Sequence, residues 1–141
     1  MKPNDLLTLT SVVSIVLLSV HVVDDIAHGF DSAGLVNFVG IVVLAGFLYA
    51  TLIFRERLAG RIVMLLVALF ALGMPLIHLR SVRINEIAQA SGGMFFIWTL
   101  WALGITGILG LILAVQEFLS RRSRTKRATP PTESEGESRR A

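Results

Sequence analysis

The chain contains no cysteine. That absence removes disulfides, thiol catalysis, iron–sulfur clusters and cysteine-type zinc sites, and it leaves the redox compartment open. Charge is also scarce. Only 16% of the 141 residues are charged, against 54% hydrophobic, and the mean hydropathy is +0.73. A soluble domain of this length needs a larger polar share to cover its surface. Neither a phosphate-cradling glycine loop nor a nucleophile elbow occurs. The first apolar run lacks a small-x-small cleavage site, so it is expected to stay as a helix rather than leave as a signal peptide. An isoelectric point near 10.2 does not indicate nucleic acid. The basic residues flank apolar runs or lie on a tail, and no basic folded module is present.

What the sequence does contain is four long apolar runs. A bilayer core of about 30 Å takes about 20 residues of helix. Runs at roughly 6–28, 33–54, 62–79 and 94–119 meet this. Gly29 marks a stop after the first, Asp31 and Ser32 offer caps for the second, and Ser91, Gly92 and Gly93 punctuate the start of the fourth. The expected fold is all-α: a bundle of four transmembrane helices with short loops over residues 1–120. Residues 121–141 are rich in Arg, Ser, Pro and Glu without apolar periodicity, and so are expected to form a disordered cytoplasmic tail.

Lysine and arginine set the orientation. One side of the bundle holds Lys2, Arg55, Arg57, Arg61 and the block Arg121, Arg122, Arg124, Lys126 and Arg127. The other holds only Arg80 and Arg83, together with Asp24, Asp25 and Asp31. Positive residues are retained in the cytoplasm, which places both termini there. Trp98 and Trp101 then fall near the outer interface, as an aromatic belt does. The basic block acts as a topological anchor or as a contact for anionic lipid. Glu117, near the inner end of the fourth helix, is most simply paired with that block.

Within lipid, helices associate by close packing of small residues and by interhelical hydrogen bonds. The second helix offers Gly46 and Ala50 for this, and the fourth offers Gly104, Gly107, Gly110 and Ala114. Both faces suit a monomeric bundle, a homo-oligomer or a membrane-protein partner. Pro75 removes a backbone donor and crowds the carbonyl of Ala71, which predicts a kink in the third helix.

Polar residues converge at one depth. Counting from Asp5, Arg55 and Arg61, His21, Asn37 and His78 lie 16, 18 and 17 residues along their helices. At 1.5 Å per residue, each sits about 24–27 Å above the inner boundary. Thr10, Ser14, His21, Asp25 and His28 share one face of the first helix, with Asp24 beside them. Lipid does not tolerate such a face, so it is expected to point into the bundle.

The run H-x-x-D-D-x-x-H, from His21 to His28, is the part suited to chemistry. His21 with Asp25, and Asp24 with His28, are pairs four residues apart that can grip a metal or share a proton. His21 and His28 are about 10 Å apart along the axis, too far to hold one ion together. The candidate metal ligands are His21, Asp24, Asp25, His28 and His78, with zinc, iron or manganese suited to imidazole and carboxylate. His21 and His78 facing each other would alternatively serve as axial ligands of a b-type haem. Two aspartates in the last turn of a helix oppose its dipole, and a metal, Arg80 or a protonated histidine would compensate. Interfacial histidine and aspartate are also accommodated by solvent or ion pairs alone, so a purely structural role stays open.

The stretches SVHVVDDIAHG, GMPLIHLR and FFIWTLWALGITG resemble small four-helix bacterial inner-membrane proteins over roughly residues 5–120. The resemblance implies the fold and an inner-membrane setting, and it implies no activity. Three classes of function stay open. One is an accessory subunit of a membrane complex with a polar outer-leaflet pocket, another a metal- or haem-binding protein using His21, Asp25 and His78, and the third an oligomeric transporter or channel.

Overall fold

A computed structural model of the chain describes residues 3–28, 35–78 and 84–128, with side chains for 3–28, 38–78 and 85–120. Every element among them is helical: α1 (Pro3–Ala27), α2 (Leu35–Ile53), α3 (Leu58–His78), α4 (Ile84–Gln89) and α5 (Gly93–Ala128). Three helical segments, Pro3–Ala27, Leu58–His78 and Gly93–Ser120, are long and apolar enough to cross a membrane, and Phe38–Ile53 is a shorter apolar helix. Gly29, Asp31, Ser32, Arg80 and Arg83 lie outside the described residues.

The three long helices pack against one another. α2 packs on α1 and α3, and the short α4 packs on α5. Contacts along the bundle fix the directions of the long helices. Leu7 of α1, Met64 of α3 and Leu113 and Ala114 of α5 form one cluster. Leu18, Ala71 and Leu103 form the next, with Leu44 of α2 against them, and Ile87, Phe96 and Leu100 form the last. α1 and α3 therefore run the same way and α5 runs against them. The start of α1, the start of α3 and the far part of α5 share one end, which holds Arg61. The other end holds the histidines.

Polarity in α1 is inverted relative to a soluble helix. Asn4, Thr8, Thr10, Ser11, Ser14, His21 and Asp24 are buried, whereas Leu9, Val13, Val16, Val20 and Val23 are exposed. Of the expected inward face, Thr10, Ser14, His21 and Asp24 are buried, whereas Asp25 is half-buried and His28 exposed. Hydroxyls along it stay compatible with helix by donating to the carbonyl four residues back, as Thr8 does to Asn4 and Thr10 does to Leu6. Apolar side chains also cover the exteriors of α3 and α5, including Leu66, Leu69, Phe70, Ile105, Ile108 and Ile112.

The small residues of α5 are used inside the molecule. A Cβ on Gly107 would stand 2.6 Å from the Leu72 nitrogen, and one on Gly110 would stand 3.0 Å from the Ala68 Cβ. This stripe lets α3 and α5 approach backbone to backbone, and no other helix pair packs more extensively. α3 continues as a helix through Pro75, which is buried opposite Gly104. On α2, by contrast, a Cβ on Gly46 would meet nothing within 4 Å.

Two differences from the sequence expectation concern α4 and α5. α4 lies between the third and fourth apolar runs, where only turn signals were read. α5 continues eight residues beyond Ser120 to Ala128. Residues 121–128 contain no glycine or proline, and cationic side chains near a helix C-terminus complement its dipole, so nothing stops the helix earlier. Residues 129–141 of the expected tail lie outside the described residues.

Candidate functional site

At the histidine end, α1, α3 and α5 each contribute one polar side chain to a cluster in which His21 and Thr99 are buried and His78 is half-buried. His21 comes from the inward face of α1 and is 1% exposed. His78 is the last residue of α3, and its ring centre lies 5.2 Å from that of His21, edge to face at 78°. The expected level placement of these two imidazoles, facing one another, is what the geometry shows. Phe96 of α5 closes the cluster, with ring centres 4.6 Å from His21 and 5.3 Å from His78.

Thr99, one turn beyond Phe96, fixes the state of His21. Its Oγ1 lies 2.9 Å from His21 Nδ1 and donates to the Phe96 carbonyl at 2.7 Å. A hydroxyl has a single proton, so with that proton on the carbonyl it accepts from His21 Nδ1–H. Nε2 then carries the lone pair. It is buried and has no hydrogen-bond partner among the described residues. Leaving such an atom unsatisfied costs about 1–3 kcal/mol.

The flanking candidates divide. Asp24 lies beside His28, Oδ1 to Nδ1 at 3.1 Å, so the expected contact four residues apart forms, and the same Nδ1 lies 3.1 Å from the Asp24 backbone carbonyl oxygen. The His28 ring also packs against Gly92, whose φ of +83° lies in the left-handed region. Asp24 Oδ2 is buried without a hydrogen-bond partner among the described residues. Among those residues no group of three or more His, Asp or Glu could hold one metal ion, so His21, Asp25 and His78 are not gathered as a three-ligand set. Asn37 sits on α2, and its side chain lies outside the described residues.

Haem does not fit the pair as it stands. Two axial bonds of about 2 Å plus the ring radii would hold the imidazole centres roughly 6 Å apart with a porphyrin between them. The rings instead touch edge to face at 5.2 Å with Phe96 against both. A single small ion is compatible with this spacing.

A second polar site lies at the opposite end, and the sequence reading missed it. Arg61 is 5% exposed and Glu117 8%, with Nε and Oε1 3.9 Å apart, and Arg61 Nη2 donates to the Glu56 carbonyl at 2.8 Å. Glu117 thus pairs with a span residue of α3 rather than solely with the basic block, whose side chains are not described. Asn4, also buried, has neither amide atom hydrogen-bonded among the described residues. Arg61 read as a boundary marker because a charge beside an apolar run usually sits at the interface. Its separation from Glu117 by 56 residues gave no local signal.

The class follows from the exterior: three helices of spanning length and apolarity, with largely aliphatic side chains facing outward, define an integral membrane protein. No family model matches the chain, and no curated protein or solved structure matches it either.

Proposed function

We propose that this is a four-span protein of a bacterial inner membrane, with both ends in the cytoplasm, whose working site is the His21–His78 pair binding one metal ion near the outer face. The orphaned Nε2 of His21 carries the reading. Metal-bound histidine typically donates its other ring N–H to a fixed acceptor, which sets the tautomer and aims the lone pair. Thr99 occupies that role here. His78 supplies a second imidazole at bridging distance. The fourth span is α2, whose 19 residues reach about 28 Å, and the basic stretch at 121–127 meets anionic lipid.

The test is elemental analysis and an absorption spectrum of protein purified in mild detergent, before and after metal loading. About one metal ion per chain is expected, with no Soret band, and loss of the metal in His21→Ala and His78→Ala. Protein that takes up no metal would refute the reading. A second reading, an accessory subunit, is favoured by α2. Its exposed Phe38, Val42, Tyr49 and Ile53, with the open space at Gly46, suit docking to another membrane helix. Under that reading His21→Ala and His78→Ala are silent and Gly46→Leu disrupts the assembly.

A further inference from the structure

We propose that the metal is monovalent copper and that Met74 supplies the third ligand; this rests on the His21–His78 reading. Met74 lies four residues before His78, on the same face of α3 and one turn deeper. It packs against both the cluster of Leu18, Ala71 and Leu103 and the cluster of Ile87, Phe96 and Leu100. Phe96 in turn touches both imidazoles. Leu18 is one turn below His21, so the clusters that Met74 joins lie at the level next to the two rings. Helical side chains lean toward the N-terminus of their own helix. Because α1 and α3 run the same way, both imidazoles lean down toward that layer.

The spacing suits three ligands. An ion about 2 Å from one nitrogen of each ring lies about 3 Å from each ring centre. With the centres 5.2 Å apart, the two bonds then meet at roughly 110–120°, which leaves a position open in a trigonal or tetrahedral arrangement. Two imidazoles and a thioether form a neutral, soft donor set, and thioether sulfur selects monovalent copper. The surroundings act in the same direction. Leu18, Ala71, Phe96, Leu100 and Leu103 form an apolar shell, where the cost of an uncompensated charge rises with the square of that charge. A divalent ion with no carboxylate in its shell is therefore disfavoured, and no third acidic or histidine ligand converges among the described residues.

The full chain in detergent is titrated anaerobically with copper(I) in competition with bicinchoninate, with zinc(II) titrated in parallel, and copper-edge absorption reports sulfur scattering. One copper(I) per chain with a sulfur neighbour is expected. Met74→Leu, which keeps the volume, should weaken copper(I) binding at least about tenfold and remove the sulfur signal. Met64→Leu, at the opposite end of the bundle, should leave both unchanged, and circular dichroism reports that each variant is folded. Copper(I) binding with the sulfur signal intact in Met74→Leu overturns the Met74 assignment. Zinc(II) binding that depends on His21 and outcompetes copper(I) overturns the copper assignment and leaves the histidine reading standing. No binding of either ion overturns both.

Discussion

Replacing Gly107 with alanine tests the α3–α5 contact, and Gly46→Ala supplies its counterpart. In an exposed helix interior, alanine is favoured over glycine by about 0.8–1 kcal/mol. At Gly46 nothing stands within 4 Å of the added methyl, so the substitution should stabilise by up to about 1 kcal/mol. At Gly107 the same methyl meets the Leu72 nitrogen at 2.6 Å, the Leu72 Cα at 2.9 Å and the Ala68 carbonyl oxygen at 3.0 Å. All three are backbone atoms and cannot swing aside as a side-chain tip would. The helices must part by several tenths of an ångström, and a gap of 0.5–1 Å forfeits a quarter to a half of each contact's dispersion energy along the seam. Overpacking of this kind costs about 1–3 kcal/mol, and contact with backbone on three sides points to the upper end. After the propensity gain, Gly107→Ala should lose about 2 kcal/mol, roughly 3 kcal/mol below Gly46→Ala. Reversible unfolding in mixed detergent–SDS micelles measures both. A Gly107→Ala protein as stable as the parent would refute the close approach of the two backbones.

Further outcomes follow from the other contacts. Glu117→Gln leaves the buried Arg61 without its counter-charge and should cost about 3–5 kcal/mol in the same unfolding assay, whereas replacing both partners with apolar residues should recover much of the loss. Gly92→Ala forces a side chain into the left-handed region and onto the His28 ring. It should cost about 1–3 kcal/mol, and adding His28→Ala should return the part due to overlap. Because the chain has no cysteine, Ser91→Cys and Ser123→Cys give single reactive sites. An impermeant maleimide should label the first from outside intact spheroplasts and the second only after lysis, and the reverse pattern would invert the proposed topology.

The elements read most readily from sequence were those governed by a long, strong pattern. Apolar runs of 18 or more residues locate α1, α3 and α5, because lipid imposes length and composition together. The inward polar face of α1 was legible for a related reason: hydroxyls and a histidine spaced along one face of an apolar helix have only the bundle interior to enter. Simple rise per residue brought His21 and His78 level. Thr99 and Phe96 were out of reach, since neither stands out from its own helix and their role depends on how α5 is rotated against α1. Arg61 and Glu117 were separately visible, but their pairing is a property of packing. The far end of α5 was misjudged because composition argued for disorder while the local run of residues 121–128, free of glycine and proline, favoured continuation.

The inverted polarity of α1 has a consequence for biosynthesis. α1 leaves the ribosome before α5, yet much of its serine, threonine and histidine surface is sheltered by α5. Until α5 has been synthesised, that surface faces lipid or a temporary companion. Chains truncated before α5 should therefore be held by insertion factors or cleared by membrane proteases, even though their first three apolar segments are intact.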